Sequence, residues 1–91
     1  MKSNWLNEFM LEYADVKLKR LRNFIKFLSR GTKIQLEKGG KHVDVVKYPH
    51  WERPFPLPAK HGIVNKHIVK DLLEKLIKEE IVDQEEIDKR L

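Results

Sequence analysis

The chain has 91 residues, 41% of them hydrophobic and 36% charged, a balance typical of one small globular domain and not of a disordered tail. It contains no cysteine, which excludes disulfides, thiolate zinc sites and thiol nucleophiles. The net charge of +5 is unevenly spread: residues 16–70 carry fourteen Lys or Arg against three acidic residues, and both ends of the chain are acidic. Such a concentration of positive charge favours nucleic acid as a partner, although a merely solvated surface stays open.

The sequence predicts a single domain over residues 1–91. Within it we expect an N-terminal helical extension over 1–14, a core over 15–80 and a short C-terminal helix over 81–91. No apolar run approaches the roughly 20 residues that span a bilayer, and residues 1–4 lack the apolar core of a signal peptide. We therefore expect no membrane association and a cytoplasmic location.

Helical spacing of apolar residues predicts two helices at the start of the chain. The first covers residues 4–13 and carries a large apolar face. That face either packs on the main domain or forms a contact with another molecule, which is a partner protein or a second copy of the chain, giving a homo-oligomer. Asp15 is placed to cap the second helix, whose apolar face runs from Leu18 to Leu28. We expect Gly31 to end that helix in the left-handed conformation.

The period of the apolar residues then changes from 3.6 to 2, which predicts strands. Ile34 and Leu36 indicate a first strand, residues 38–41 a turn and residues 42–48 its β-branched partner strand. Prolines occupy alternate positions 54, 56 and 58, so their missing N–H groups would lie along one side of an extended chain. This predicts an edge strand, with a polyproline II segment as the alternative.

Two further helices are predicted after the strands. Asn65 is a natural cap for a long helix, and Asp83 and Glu86 have the spacing of a capping box, with Val82 and Ile87 as a hydrophobic staple. The order of core elements is therefore α-β-β-β-α. We predict an α+β fold in which both helices cover one face of a three-stranded antiparallel sheet, with extra short helices at both ends.

Several segments, in this order and spacing, resemble the HicA family, the small toxins of HicA–HicB toxin–antitoxin systems. The resemblance covers residues 16–78 and begins with the basic helix and the first strand. Residues 38–42 (Lys-Gly-Gly-Lys-His) are similar to the family's Gly-Ser-His turn into the central strand, and residues 58–62 (Pro-Ala-Lys-His-Gly) to its Pro-x-His-x loop with one extra residue. Residues 65–76 fall where the family has its last helix.

The resemblance implies a fold like that of double-stranded-RNA-binding domains (dsRBD-like) and a metal-independent endoribonuclease that cleaves mRNA without a cofactor. It also implies a HicB-like antitoxin as a partner and one catalytic His on the second strand, a role that maps onto His42. Two departures from the family pattern are Lys41, which stands where a small hydroxyl residue is usual, and Val45, where an aromatic residue is common. They leave open whether turnover is impaired.

His42 suits the chemistry because RNA carries its own nucleophile, the 2′-hydroxyl beside each phosphate. A base to take that proton and positive groups on the phosphate suffice, and a histidine with an unperturbed pKa near 6.5 is a competent base at neutral pH. Asp44 lies two residues on, and is a candidate to steer the imidazole. The alternative is an ordinary surface histidine at a strand end. The candidate RNA-binding residues are Lys33, Lys38, Gly40, Lys41, Lys47, Lys60, His61 and Lys66.

Other interpretations stay open for the remaining histidines. His61 either contacts phosphate, or acts as the acid partner, or is a solvated loop residue. Residues 50–51 (His-Trp) either stack an unpaired base or pack over the rim of the core. No metal site is predicted, since the four histidines lack His-x-x-x-His spacing and no cysteine assists. The competing functions are a non-catalytic RNA-binding module of the same fold and a helix-based DNA-binding repressor subunit.

Overall fold

The computed structural model describes residues 14–38 and 43–91, and it has an α+β fold. The helix predicted over residues 4–13 lies outside the described residues. The elements in chain order are β1 (Val16–Lys17), α1 (Leu18–Ser29), β2 (Gln35–Lys38), β3 (Asp44–Lys47), β4 (Phe55–Leu57), β5 (Ala59–Lys60), β6 (Ile63–Val64), α2 (Lys66–Lys78) and α3 (Gln84–Arg90). The predicted order α-β-β-β-α is confirmed for α1, β2, β3, β4 and α2.

The central sheet is antiparallel, with the strand order β2–β3–β4. Val46 of β3 lies between Leu36 of β2 and Phe55 of β4, and Pro56 is paired with Val45. Strand β4 therefore pairs on one side only, as the alternating prolines require, because a proline has no N–H to donate to a second neighbour. The edge-strand prediction is confirmed and the polyproline II alternative is wrong.

A second, smaller antiparallel sheet has the order β1–β6–β5, and the sequence did not indicate it. Each of its strands has two residues, which is too short for a period of 2 to be visible. Val64 pairs with both Val16 and Ala59. The N–H of Leu18 at the start of α1 donates to the carbonyl of Gly62 at 2.8 Å, so this sheet ties the beginning of α1 to the β5–β6 turn.

Both long helices pack on one face of the central sheet. That face presents Val46 and Leu57, which are 0% and 1% exposed, whereas the opposite face presents the exposed side chains of Gln35, Glu37 and Lys47. The core joins these strands to the apolar stripes of the helices: Leu21, Phe24, Ile25 and Leu28 of α1, and Val69, Leu72, Leu73 and Leu76 of α2. The predicted two-layer arrangement is confirmed.

The two predictions for the ends of α1 are wrong. Helix α1 begins after Lys17, which forms no side-chain cap, and Asp15 instead accepts a hydrogen bond from the N–H of Lys66 at 2.8 Å. Gly31 does not have a positive φ; the helix ends at Arg30 with a helical φ of −71°. The carbonyl of Leu28 accepts from the N–H of Gly31 at 3.2 Å and from the hydroxyl of Thr32 at 2.8 Å, so it is satisfied without a left-handed glycine.

The N-caps of the last two helices are as predicted, but the described contacts show only the Asp83 half of the predicted capping box, since Oε1 of Glu86 accepts from Nε of Arg90. The side chain of Asn65 accepts from the N–H of His67 at 2.7 Å, and Asp83 accepts from the N–H of Glu86 at 2.8 Å. Val82 and Ile87 are both buried in the main core, which is consistent with the predicted staple around the start of α3. None of the helices in the described ranges 14–38 and 43–91 is long and apolar enough to cross a membrane.

Candidate nucleic-acid interface

The structure brings several of the predicted site residues together at one end of the central sheet. Lys38 ends β2 and pairs with Asp44 at the start of β3, which pairs in turn with Leu57 at the end of β4. We call this the hairpin end. The chain leaves β4 here and passes directly into β5, so Lys60 and the turn residue His61 belong to the same end, and all three predicted side chains, Lys38, Lys60 and His61, are exposed.

Three of the predicted residues, Gly40, Lys41 and His42, lie outside the described residues. The described chain runs to Lys38, resumes at Val43, and pairs in β2 and β3 on either side of this gap. The assignment of His42 as the general base and of Gly40 and Lys41 as phosphate-binding residues therefore stays a prediction. Of the charged residues on either side of this segment, Lys38 is exposed and Asp44 is buried.

His61 is the first residue of a two-residue turn that joins β5 to β6. Lys60 and Ile63 pair directly, and the two residues between them have positive φ angles, 54° for His61 and 77° for Gly62. Two consecutive positive φ angles are the signature of a type I′ hairpin turn, which fits the right-handed twist of the flanking strands. His61 is thus presented to solvent at the tip of a hairpin.

Lys66 also belongs to this region, but the start of α2 is occupied. The N–H of Lys66 is bound by Asp15 and the N–H of His67 by Asn65. Backbone donors at a helix start are the groups that commonly bind phosphate, and here two side chains already accept from them. Any phosphate contact of Lys66 therefore depends on its exposed ammonium group.

The predictions did not include Arg22, which the structure places beneath the hairpin end. Its Nε donates to Oδ2 of Asp44 at 2.5 Å, and Asp44 is only 3% exposed. A carboxylate on the inner face of a strand needs a cationic partner, but the inward position of Asp44 is seen only in the structure, so the sequence alone did not indicate Arg22. Oδ2 of Asp44 is bound by Arg22. Any contact of Asp44 with His42 lies outside the described residues.

The other two predicted lysines, Lys33 and Lys47, lie at the opposite end of the central sheet. There they line a groove of about 630 Å³ between the end of α1, the sheet and the segment that follows β3. We call it the loop-end groove. Its lining residues are Ser29, Thr32, Lys33, Ile34, Gln35, Lys47, Tyr48, Pro49, Trp51, Glu52, Arg53 and Pro54. The structure therefore divides the predicted site into two separate regions.

Trp51 packs over the rim of the core, one of the two alternatives for this residue, and its partly exposed ring also lines the loop-end groove, so rim packing does not exclude stacking of a base. Its indole Nε1 donates to Oε2 of Glu79 at 3.3 Å, and Nζ of Lys75 lies 5.0 Å from the centre of its ring. Tyr48 contacts it with ring centres 5.7 Å apart, and His50 meets the Tyr48 ring edge-on at 5.3 Å. These contacts fix an aromatic cluster that forms one wall of the loop-end groove.

The cations of the groove differ in how they are paired. Nζ of Lys47 lies 2.9 Å from Oε1 of Glu37, and both side chains are 45% exposed. Lys33 and Arg53 are exposed and form no ion pair with any residue that the structure describes. These two cations are consequently the ones best placed to meet an anionic ligand.

Within residues 14–38 and 43–91, no group of three or more His, Asp or Glu side chains is arranged to hold a metal ion. Comparison with models of protein families, with curated proteins and with solved structures finds no significant match for the chain.

Proposed function

We propose that this chain is a dsRBD-like toxin of the HicA type, an endoribonuclease that cleaves mRNA without a metal ion and uses His42 as its general base. It would act in the cytoplasm and be held in check by a HicB-like antitoxin that covers the hairpin end. The observation that carries the proposal is the order α1–β2–β3–β4–α2, with both helices on one face of the sheet. This is the order that the resemblance over residues 16–78 implies.

The proposed chemistry needs little beyond what the hairpin end offers. His42 takes the proton of a 2′-hydroxyl, whose oxygen attacks the neighbouring phosphorus while the bond to the 5′-oxygen of the next nucleotide breaks. The exposed ammonium groups of Lys38 and Lys60 attract and hold the phosphate, whose negative charge grows during attack. His61, presented on the β5–β6 turn, is the candidate that returns a proton to the leaving oxygen.

Asp44 supports this arrangement from below. Asp44 is the first residue of β3, and because it is buried and bound to Arg22, it links the start of this strand to α1. We expect that link to hold the start of β3 against the helix layer, so Arg22 and Asp44 act as positioning residues in this proposal.

The second candidate is a non-catalytic RNA-binding module of the same fold. The loop-end groove favours it, because an aromatic wall with unpaired cations can bind RNA without any contribution from His42. The two candidates predict the same sensitivity of binding to salt, since both release counterions from the RNA. Only cleavage distinguishes them.

The test is incubation of the purified, antitoxin-free protein with an end-labelled single-stranded RNA in the presence of a metal chelator. We expect the wild-type protein to cut the RNA, and we expect His42→Ala to lose cleavage by at least about 100-fold, the usual contribution of a general base. Binding of intact RNA by His42→Ala should persist, because the surrounding cations remain.

The matched control is His50→Ala, which removes a histidine that is 73% exposed at the opposite end of the sheet. At saturating RNA its cleavage rate should equal that of the wild type, because His50 contacts the Tyr48 ring beside the loop-end groove and lies at the opposite end of the sheet from His61. Intact RNA at a high excess of wild-type protein, with binding retained, would replace the nuclease by the binding module. Full cleavage by His42→Ala would remove the assignment of His42.

A further inference from the structure

We propose that the loop-end groove is a subsite for one unpaired nucleotide of a single-stranded RNA segment. The base of this nucleotide stacks against the aromatic wall, and its phosphates bind Lys33 and Arg53. The inference rests on the proposed function in that RNA is the substrate, and it adds the class of RNA. It makes the protein selective for single strands, because a base in a duplex is stacked and paired and cannot enter.

The shape and lining of the groove fit one nucleotide. Its volume of about 630 Å³ lies within the range of pockets that hold small organic molecules. Tyr48 and Trp51 supply flat apolar surface, and Pro49 and Pro54 extend that surface without adding charge. Aromatic rings accept the face of any base, so this wall favours stacking without a requirement for sequence.

The aromatic wall is held in place before any ligand binds. The Glu79 carboxylate fixes the indole of Trp51 through Nε1, and Tyr48 packs against both His50 and Trp51. Lys75 lies over the Trp51 ring, which adds a cation–π contact to this support. A platform that is already ordered loses little conformational freedom on binding, which favours affinity.

The charges at the groove select a phosphodiester. Lys33 and Arg53 carry two positive charges that no described carboxylate neutralises, while Lys47 shares its charge with Glu37. Glu52 is the acidic residue among the lining side chains, so the lining carries three cations and one anion. A base joined to phosphate matches this combination of aromatic and cationic surface, whereas an uncharged aromatic molecule would leave the cations unused.

The groove continues onto the exposed face of the central sheet. Gln35 and Lys47 are paired across β2 and β3, point away from the helices, and line the groove as well. Along β3, Lys47 lies three residues from Asp44, about 10 Å at the usual rise of a strand. A single strand that starts in the groove can therefore reach the hairpin end within a few nucleotides.

Tryptophan fluorescence tests stacking directly. The chain has two tryptophans, so a Trp5→Phe variant leaves Trp51 as the reporter, and an added His42→Ala keeps the RNA intact. We expect quenching on titration with a single-stranded RNA of about 12 nucleotides, a length within the usual range of single-strand site sizes. A duplex of the same sequence should give little quenching. Equal quenching by both RNAs would overturn the inference.

A third titration distinguishes an RNA strand from a free nucleotide, which has the same base and phosphate groups. A nucleoside monophosphate should quench Trp51 only at concentrations far above those needed for the strand, because the strand also reaches the exposed ammonium groups of Lys38 and Lys60 at the hairpin end. Saturation by the mononucleotide at the same concentration as the strand would assign the groove to a small molecule.

A charge-neutralised pair of variants tests the cations. Lys33→Gln combined with Arg53→Gln removes two phosphate contacts, so the salt dependence of single-strand binding, as log K against log salt, should become shallower by about 1.4. The control combines Lys26→Gln and Lys89→Gln, which removes the same charge from exposed positions on α1 and α3. Its slope should stay within about 0.3 of the parent's, below the roughly 0.7 expected for a single contact.

The results separate this inference from the proposed function. Selective quenching of Trp51 without RNA cleavage by the wild type supports the groove and overturns the nuclease. Cleavage by the wild type, with a salt slope for the Lys33→Gln/Arg53→Gln variant equal to the control's, overturns the groove and leaves the nuclease standing. Melting curves of all variants show whether each one is folded at the temperature of the titration.

Discussion

Arg22 and Asp44 form the contact on which the start of β3 depends. Asp44 is 3% exposed and accepts from Nε of Arg22, whose side chain is 35% exposed and so reaches solvent on its other side. The attraction alone says little about stability, because a buried carboxylate first loses its hydration. Removing one partner differs from removing both, because without Arg22 the buried carboxylate of Asp44 is left without its cationic partner.

Removing one partner should therefore cost more than removing both. We expect Arg22→Ala to lower the free energy of unfolding by about 1–3 kcal/mol, the cost of an unsatisfied buried polar group. The double variant Arg22→Ala with Asp44→Val should recover most of this loss, since valine suits a strand and carries no charge. Urea unfolding of the three proteins measures both quantities. A double variant that is less stable than Arg22→Ala would contradict this account.

At the scale of this residue, the sequence contained part of the answer. Asp44 alternates with Val43 and Val45 in a β-branched run, so either face of the strand was open to it from spacing alone. Spacing also does not show which of the Lys and Arg side chains of α1 reaches the strand, because that depends on how the helix is rotated and placed on the sheet. The partner therefore emerges only when α1 is packed on the sheet.

Among the elements, α2 has a start that depends on a residue 51 positions earlier in the chain. Asp15 accepts from the N–H of Lys66, while Asn65 accepts from the N–H of His67. The two acceptors thus satisfy different orphan donors of one helix, and a negative side chain there also complements the helix dipole. Asp15 at the same time links the segment before β1 to α2.

We expect Asp15→Ala to lower the free energy of unfolding by about 0.5–2 kcal/mol, the usual effect of losing a cap. Asn65→Ala should have a similar effect, and the losses should add in the double variant because the two donors are distinct. Asp15→Asn is the control: its side-chain oxygen still accepts, so most of the stability should remain. Chemical denaturation of the four variants and the wild type checks this, and no loss in Asp15→Ala would show that this cap does not stabilise α2.

The sequence predicted the elements whose residue pattern extends over enough positions to be recognised. Four or more apolar residues at helical spacing marked α1 and α2, and the alternating prolines marked β4 as an edge strand before its partner was known. The strands β1, β5 and β6 have two residues each and carry no such pattern. Their pairing depends on two features of the tertiary structure: β4 ends next to β5, and α1 starts beside Gly62.

For the molecule as a whole, α3 belongs to the same core as the sheet and the two long helices. Ile87 is 2% exposed and Val82 is 8% exposed, both within the single cluster of buried residues. The guanidinium of Arg90 lies 3.4 Å from the centre of the Phe27 ring, which ties the end of α3 to α1. A helix of seven residues is not stable alone, so its order comes from this packing.

If α3 is part of one cooperative unit, damage to it must weaken the entire domain. We expect Ile87→Ala to lower the free energy of unfolding by about 2–5 kcal/mol, through lost burial and the cavity left behind. The unfolding should stay a single transition with an unchanged urea m-value, seen equally by circular dichroism and by Trp51 fluorescence in the Trp5→Phe background. Asp88→Ala, an exposed neighbour on the same helix, should change stability by less than about 0.5 kcal/mol. If Ile87→Ala instead removed helical signal at low urea while Trp51 reported an unaltered midpoint, α3 would be an independent appendage, and residues 81–91 would not support the fold on which both proposed RNA sites depend.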